Sequence, residues 1–207
     1  MVEGIIGAGK TTFCTLFHKL LESKGIESEI LFEPIEEDDP ALRLFLSDCD
    51  KYAFFFQIHV MNKRLKLYKK ALKLKQQGKV VIIDRSLRGD RVFEEMFYLK
   101  AAITDDEHQY YLQRVEDIVR TISDPDVILY LDVSIDDAIA RIHKRNRLTE
   151  IDVYTPKYIS DLKTIYERII KLGDNVVVIS NPNSSKIMNY KSDLTPALEE
   201  ISNRLKV

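Results

Sequence analysis

The stretch Gly4-Ile5-Ile6-Gly7-Ala8-Gly9-Lys10-Thr11 carries the pattern GxxxxGK[ST] and decides the fold. Its glycines let successive backbone N–H groups converge on an anion, which side chains would otherwise keep away. The helix that follows such a loop adds the positive end of its dipole. In this pattern the lysine reaches the β- and γ-phosphates of a nucleotide and the threonine hydroxyl binds Mg²⁺. The alternative is a glycine-rich turn without a ligand. We call residues 4–11 the phosphate loop and predict these ATP-binding residues: Gly4, Gly7, Ala8, Gly9, Lys10, Thr11 and Thr12.

Short β-branched runs alternate with amphipathic segments along the rest of the chain. The runs predict strands at Glu29–Phe32, Val80–Ile83, Val127–Leu131 and Val176–Ile179. Helices are predicted at Lys10–Lys24, Asp50–Gln77, Asp90–Ala102, Asp105–Ile122, Ile135–Lys144, Pro156–Leu172 and Leu194–Leu205. With a first strand before Gly4, this order predicts one α/β domain over 1–207, a three-layer sandwich whose parallel five-stranded sheet is flanked by helices.

The first strand is short in this sequence. Three residues precede Gly4, whereas a strand usually has about five. We expect either that the true start lies upstream or that this strand is clipped.

Composition excludes several classes of protein. The 207 residues are 45% hydrophobic and 31% charged, which excludes disorder and collagen. A net charge of −2 gives no attraction toward nucleic acid or anionic lipid. The two cysteines, Cys14 and Cys49, favour a reducing compartment over a disulfide framework. With no signal peptide and no long apolar run, we expect a cytoplasmic protein without membrane or nucleic-acid partners.

Two further groups of polar residues are also suited to binding a nucleotide's phosphates and Mg²⁺. Asp84 ends a buried strand, so its carboxylate reaches the edge of the sheet where ligands bind and can serve Mg²⁺. An N-cap role for Asp84 remains compatible with this. Arg141, Arg145 and Arg147 cluster at the end of a predicted helix. They suit an arginine-rich lid, at about 141–155, that closes over a triphosphate. A solvated basic face or a nucleic-acid patch is the alternative.

The motifs that the sequence lacks, together with its predicted lid, indicate the class of molecule that accepts the phosphate. Its sequence has neither an NKxD guanine-reading motif nor an LSGGQ-like transporter signature. A compact chain with a lid therefore indicates a small-molecule kinase. A nucleoside monophosphate kinase of the thymidylate type, and a catalytically inactive nucleotide-binding regulatory protein, remain open as alternatives.

Several ordered motifs resemble those of the deoxynucleoside kinases, the family of deoxycytidine, deoxyguanosine, deoxyadenosine and mitochondrial thymidine kinases. The resemblance runs over nearly the whole chain. The matching segments, in order, are VEGIIGAGKTT (2–12), EPI (33–35), FQ (56–57), DRS (84–86) and RIHKRNRLTE (141–150). The resemblance implies phosphorylation of a deoxynucleoside 5′-hydroxyl by ATP with Mg²⁺, and a homodimer built from helices in the 50–77 and 90–122 regions.

The resemblance also implies roles for single residues. Glu33 would be the general base and Arg85 would hold the transferring phosphoryl group, while Asp84 organises Mg²⁺ or, alternatively, acts as the base. Glu150 would accept the sugar 3′-hydroxyl. The base would stack on Phe56 and bind Gln57, whose amide suits two adjacent atoms of a base edge. The donor base would lie near Asn181, Pro182 and Asn183.

An arginine at position 64 and an aspartate at 90 accompany deoxycytidine and purine deoxynucleoside kinases in this family. A carboxylate held by arginine accepts a hydrogen bond from an exocyclic amino group, which thymine lacks. We therefore expect purine deoxynucleosides or deoxycytidine to be preferred over thymidine; a surface ion pair is the alternative. The chain departs from the family at Leu46, which takes the place of a substrate-binding tyrosine. It departs again at Glu94, where a second stacking phenylalanine is displaced to Phe93.

Overall fold

The computed structural model describes residues 1–36, 38–173 and 175–180. Within these ranges strands alternate with helices. The strands are β1 (Val2–Glu3), β2 (Ser28–Leu31), β3 (Val80–Ile83), β4 (Ile128–Asp132) and β5 (Val176–Ser180). The helices are α1 (Lys10–Ser23), α2 (Pro40–Ser47), α3 (Ala53–Gln76), α4 (Leu87–Leu99), α5 (Asp105–Val119), α6 (Ile135–Arg145), α7 (Leu148–Ile151) and α8 (Pro156–Tyr166), which continues as a π-helical turn, Glu167–Lys171.

The sheet is parallel throughout these five strands. β2 pairs with β3, while β4 lies between β1 and β5. A single parallel bridge between Val2 and Asp84 joins the two ladders. Beside it the Arg85 N–H donates to the Val2 carbonyl at 2.9 Å. The order is therefore β2-β3-β1-β4-β5, which confirms the predicted parallel sheet and places the two-residue strand β1 at its centre.

Neighbouring residues of β3 face opposite sides of the sheet, as the period of a strand requires. Ile82 lies in the main apolar core together with Phe17 of α1. Ile83 packs in a separate cluster with Ala71 of α3. Helices thus cover both faces of the sheet, as predicted. None of the helices in the described ranges is long and apolar enough to cross a membrane.

Capping residues set helix boundaries that hydrophobic periodicity misses. α4 begins at Leu87, three residues before the predicted start, because the Ser86 side chain accepts a hydrogen bond from the Gly89 N–H. α2 was not predicted; it begins at Pro40 after Asp39, whose side chain caps it. α7 was not predicted either. The predicted helix Leu194–Leu205 lies outside the described residues.

Glu3 ends β1 fully buried and organises the loop between β3 and α4. Its Oε1 accepts a hydrogen bond from the Ser86 N–H at 2.5 Å. Gly89, in the first turn of α4, lies against the same carboxylate, since a Cβ added there would stand 2.4 Å from Glu3 Oε1. The missing side chain at Gly89 therefore allows α4 to approach β1.

Replacing Gly89 by alanine tests this close approach. Helix propensity alone would favour alanine by up to about 1 kcal/mol. We expect the clash with Glu3 to outweigh this and to lower the free energy of unfolding by about 1–3 kcal/mol, measured by chemical denaturation. The control is Gly173→Ala, whose added Cβ meets Val176 Cγ2 at 3.1 Å and the Ile170 carbonyl oxygen at 3.3 Å, contacts that a shift of a few tenths of an ångström relieves. A Gly89→Ala protein as stable as the wild type would contradict the packing described.

Candidate active site

A cavity of about 510 Å³ lies beside the phosphate loop, where β2 and β3 end. Most of the residues predicted from sequence line it: Gly7, Gly9, Lys10, Thr11, Thr12, Glu33, Phe56, Gln57, Asp84, Arg85, Asp90, Arg141, Arg145, Arg147 and Glu150. Gly4, Ala8 and Arg64 are buried and do not line the cavity. The predicted residues Asn181, Pro182 and Asn183 lie outside the described part of the chain. Parallel strands explain this assembly, because their carboxyl ends meet at one edge.

The phosphate loop turns sharply at glycines with positive φ. At Gly7 (φ 79°) an added Cβ would lie 2.4 Å from the Ala138 carbonyl oxygen. The Lys10 Nζ donates to the carbonyls of Gly4 at 3.1 Å and Ile5 at 3.0 Å, which curls the lysine back over its own loop. Burial, followed by the charge of Arg85, lowers the pKa of Lys10 to about 8. The lysine is thus still mainly protonated at neutral pH.

Thr11 and Asp84, distant in sequence, meet in the cavity. The Thr11 hydroxyl donates to Asp84 Oδ2 at 2.9 Å. The other carboxylate oxygen, Oδ1, is buried without a hydrogen-bond partner among the described residues. An unpartnered carboxylate oxygen beside a hydroxyl fits Mg²⁺, which prefers hard oxygen ligands. The described residues hold no cluster of three or more His, Cys, Asp or Glu side chains suited to a metal. Phosphate and water oxygens would therefore have to complete the coordination, as is usual for Mg²⁺.

The three arginines of the predicted lid take two different positions. The Arg141 Nη1 donates to the carbonyls of Gly7 at 3.3 Å and Ala8 at 2.9 Å, so it braces the phosphate loop. Arg145 and Arg147 both pair with Glu150, the latter at 3.3 Å. The family resemblance assigns Glu150 to the sugar. Glu150 thus also orients Arg145, at the end of α6, and Arg147, which follows that helix. Closure of this segment over a triphosphate stays a prediction.

A network of charged side chains borders the cavity, and all of its members except the partly exposed Glu33 are buried. Arg64, fully buried, donates through Nε to Asp90 Oδ2 at 2.6 Å and through Nη2 to Glu33 Oε1 at 3.0 Å. Its Nη1 reaches the Asp84 carbonyl at 3.2 Å. The second oxygen of Glu33 accepts from Arg85 Nε at 3.2 Å. The predicted Arg64–Asp90 pair is therefore buried, and Arg64 also contacts Glu33, the candidate general base.

This network fixes the charge of Glu33. Burial alone would raise the pKa of its carboxyl, but the charges of Arg85, Arg64 and Lys10 outweigh burial and hold the pKa below its ordinary value. Glu33 is therefore ionised at neutral pH. It can accept a proton or a hydrogen bond, and the two arginines set the direction in which it does so.

The residues that form the apolar wall of the cavity differ in part from those predicted. Leu46 does not line the cavity but packs against the core, whereas Leu42 and Phe45 of the same helix do line it. Successive helical residues point about 100° apart, so the face that brings Phe45 to the cavity turns Leu46 away. An ungapped count back from Gln57 does not reveal the phase of this helix. Further lining residues that were not predicted from sequence are Ile6, Ile35, Val60, Tyr154 and Tyr158.

Aromatic rings shape this wall. Phe45 stacks on Phe56 with ring centroids 4.5 Å apart. Phe93 lines the cavity and lies 4.9 Å from the Arg85 guanidinium. Its neighbour Glu94 is fully buried elsewhere and lies 2.7 Å from His108 Nδ1. The displaced phenylalanine noted in the sequence is thus the one that reaches the cavity.

Asp39 anchors α2, and with it Leu42 and Phe45, to α3. Its Oδ1 accepts from the Ala41 N–H at 2.9 Å. Its Oδ2 lies 3.0 Å from His59 Nε2 and 2.5 Å from Lys63 Nζ. Burial alone would raise the pKa of Asp39, but hydrogen bonds from Lys63 and His59 outweigh it and hold the pKa below its ordinary value.

Comparison with known proteins identifies the family through its sequence model. The sequence model of the deoxynucleoside kinases matches residues 1–205. A deoxyadenosine kinase of Dictyostelium discoideum is 29% identical over 188 residues, covering 91% of this chain and 73% of the relative. A deoxyguanosine kinase of Lactobacillus acidophilus is 26% identical over 219 residues, covering 100% and 90%. The solved structure of deoxyadenosine kinase from M. mycoides with bound dCTP superposes with a TM-score of 0.74 at 27% identity, covering 99% and 97%.

Replacing Asp39 by asparagine tests the anchor of α2. At pH 7 we expect a loss of about 1–2 kcal/mol in the free energy of unfolding, since a hydrogen-bonded charge is removed. A carboxyl whose pKa is lowered in the folded protein stabilises the fold at pH values above its ordinary pKa of 3.8. This stabilisation is lost progressively as the pH falls below 3.8. The difference between wild type and Asp39→Asn should therefore shrink at pH 3.5. Asp38→Asn, at the exposed neighbour, is the control. A difference that does not change with pH would contradict the anchor.

Proposed function

Since the chain belongs to the deoxynucleoside kinase family, whose members are phosphotransferases, we propose that it transfers the γ-phosphoryl group of ATP to the 5′-hydroxyl of a deoxynucleoside. One observation carries the proposal. Glu33, fixed between Arg64 and Arg85, shares a cavity with the phosphate loop and with the Thr11–Asp84 pair. A carboxylate for the acceptor hydroxyl thus faces the machinery for the donor phosphates.

The phosphate loop and Lys10 bind the donor phosphates in this proposal. Thr11 and Asp84 would hold Mg²⁺, which when bound neutralises charge on the β- and γ-phosphates. Glu33 orients the 5′-hydroxyl and accepts its proton, while Arg85 contacts the transferring phosphoryl group. A carboxylate with a lowered pKa is a weak base. Because the transition state of phosphoryl transfer is loose, however, positioning matters more than base strength.

Recognition of the base is assigned to Gln57 and to the Arg64–Asp90 pair. Gln57 is 3% exposed, lines the cavity, and makes no side-chain hydrogen bond within the described ranges. Its amide is therefore free to bind a base edge. The Asp90 carboxylate, held by Arg64, accepts from an exocyclic amino group. We infer a preference for purine deoxynucleosides or deoxycytidine over thymidine, which agrees with the names of the two relatives described above.

A homodimer is part of the proposal and rests on the surface of α3 and α5. Phe54 contacts Tyr110 edge-on at a centroid distance of 6.1 Å. Phe55 and Tyr110 are about half exposed, at 51% and 54%. Neighbouring exposed aromatic rings on two adjacent helices are typical of a protein–protein interface.

A panel of deoxynucleosides tested with ATP and Mg²⁺ checks the activity. We expect transfer to deoxyadenosine, deoxyguanosine or deoxycytidine and poorer transfer to thymidine. Glu33→Ala should reduce kcat by about 10²–10⁴-fold while ATP binding persists. The matched control is Glu36→Ala, at an exposed carboxylate nearby.

Two outcomes would contradict parts of this proposal. Transfer to deoxyadenosine monophosphate but to no deoxynucleoside would indicate a nucleoside monophosphate kinase instead. Glu33 counts against that alternative, since its negative charge would repel an acceptor phosphate. Unchanged activity in Glu33→Ala would leave the kinase assignment but overturn the role of the base.

The pH dependence of substrate binding tests Asp90. Burial raises its pKa to about 6, against the opposing charge of Arg64. Below that pH the carboxyl is protonated and becomes a weaker acceptor for an amino group. We expect the KM for deoxyadenosine to rise about fourfold from pH 7.5 to 5.5, following the ionised fraction. Asp90→Asn should abolish this pH dependence, and a variant that retained it would rule out Asp90.

A further inference from the structure

Arg85 has an unusual backbone conformation for a residue with a side chain. Its φ is 70°, in the left-handed region. Such a conformation is costly and persists only where the surroundings impose it. Two hydrogen bonds to β1 do so: the Arg85 N–H donates to the Val2 carbonyl at 2.9 Å, and the Ser86 N–H donates to Glu3 Oε1 at 2.5 Å. The backbone on both sides of the Arg85 Cα is thus held by the central strand.

A second set of hydrogen bonds links the guanidinium of Arg85 to β1. Its Nη1 donates to the Gly4 carbonyl at 3.2 Å and to the Tyr166 hydroxyl at 2.5 Å. The Tyr166 hydroxyl in turn donates to Glu3 Oε2 at 3.1 Å. Glu3 and Tyr166 are both fully buried. One oxygen of Glu3 therefore fixes the backbone beside Arg85, and the other fixes its guanidinium through Tyr166.

We propose that Glu3 and Tyr166 are positioning residues that aim the Arg85 guanidinium at the transferring phosphoryl group. The proposal rests on the function proposed above, in which Arg85 makes that contact. Nε of Arg85 is bound by Glu33, so Tyr166 acts at the opposite end of the planar guanidinium and restricts its rotation.

The position of Tyr166 agrees with this role. It is the last residue of α8, where the helix widens into the π-helical turn Glu167–Lys171. Insertions of this kind in helices are frequent at functional sites. Its hydroxyl must donate to Glu3 while accepting from Arg85, which requires the neutral phenol. Burial raises the pKa of Tyr166 well above its ordinary value, so the phenol stays neutral.

The chain offers a matched pair of variants, Tyr166→Phe and Tyr130→Phe. Tyr130 is also fully buried, with its ring 6.1 Å from that of Tyr166. Its hydroxyl has no hydrogen-bond partner in the described part of the chain. Each variant removes one buried hydroxyl from neighbouring rings, but only the Tyr166 hydroxyl contacts Arg85.

Steady-state kinetics distinguish positioning from a structural role. For Tyr166→Phe we expect kcat to fall about 10–100-fold, with both KM values within about threefold of the wild type, since a misplaced guanidinium affects mainly the transition state. Tyr130→Phe should keep kcat within about twofold. A Tyr166→Phe enzyme with unchanged kcat, or an equal loss of kcat in both variants, would overturn the proposal.

A second measurement does not depend on catalysis. In ¹⁵N-labelled protein the Arg85 side-chain NMR signals, assigned by their loss in Arg85→Lys, should be sharp in the wild type and in Tyr130→Phe. They should broaden in Tyr166→Phe as the guanidinium gains rotational freedom. Identical signals in all three proteins would overturn the positioning role. If the wild type phosphorylates no nucleoside, the proposed function fails, and the NMR comparison still decides whether Tyr166 holds Arg85.

Discussion

The bridge between Val2 and Asp84 is the contact on which the site depends. It joins the β2–β3 ladder to the β1–β4–β5 ladder. Because the pairing is parallel, it brings the phosphate loop after β1 and the Asp84-Arg85 pair after β3 to the same edge of the sheet. Thr11 can then donate to Asp84, and Arg85 to the Gly4 carbonyl. A shift of one residue in this pairing would turn Asp84 to the other face.

Buried charge is the second constraint. Arg64, Asp90 and Arg85 are buried and lie close to Glu33, whose side chain is 36% exposed. An unpaired charge at the buried positions would be costly. Each charge is compensated by a hydrogen-bonded partner of opposite sign. Arg64 is the central member, since it contacts both acidic side chains and the Asp84 carbonyl. Its planar group of donors can serve all three at once, which a lysine could not.

The sequence predicts those parts of the molecule that local patterns encode. The phosphate loop follows from glycine spacing, and β3 was predicted with its observed bounds because four β-branched residues stand between polar ones. Asp84 was placed correctly because it ends that strand. Asp39 followed by Pro40 is a helix-start signal that could have predicted α2, but the phase of an eight-residue helix, and so its facing residues, is not apparent without its neighbours. Glu3 and Tyr166 lie 163 residues apart, so only the folded chain relates them.

The anchoring of α2 has a consequence for the shape of the cavity. Leu42 and Phe45 reach the cavity from a helix tied by Asp39 to His59 and Lys63, whereas Glu33, Arg64, Asp84 and Arg85 are tied to one another and to the central strand. The apolar wall contributed by α2 and the charged groups beside the phosphate loop thus belong to separate hydrogen-bond networks, and the Arg64–Asp90 pair belongs to the second. In the proposed function, substitutions on α2 would change the shape of the nucleoside pocket without breaking the contacts of Glu33 and Arg85. On that proposal, the shape of the pocket and the positions of the charged groups can change independently of each other.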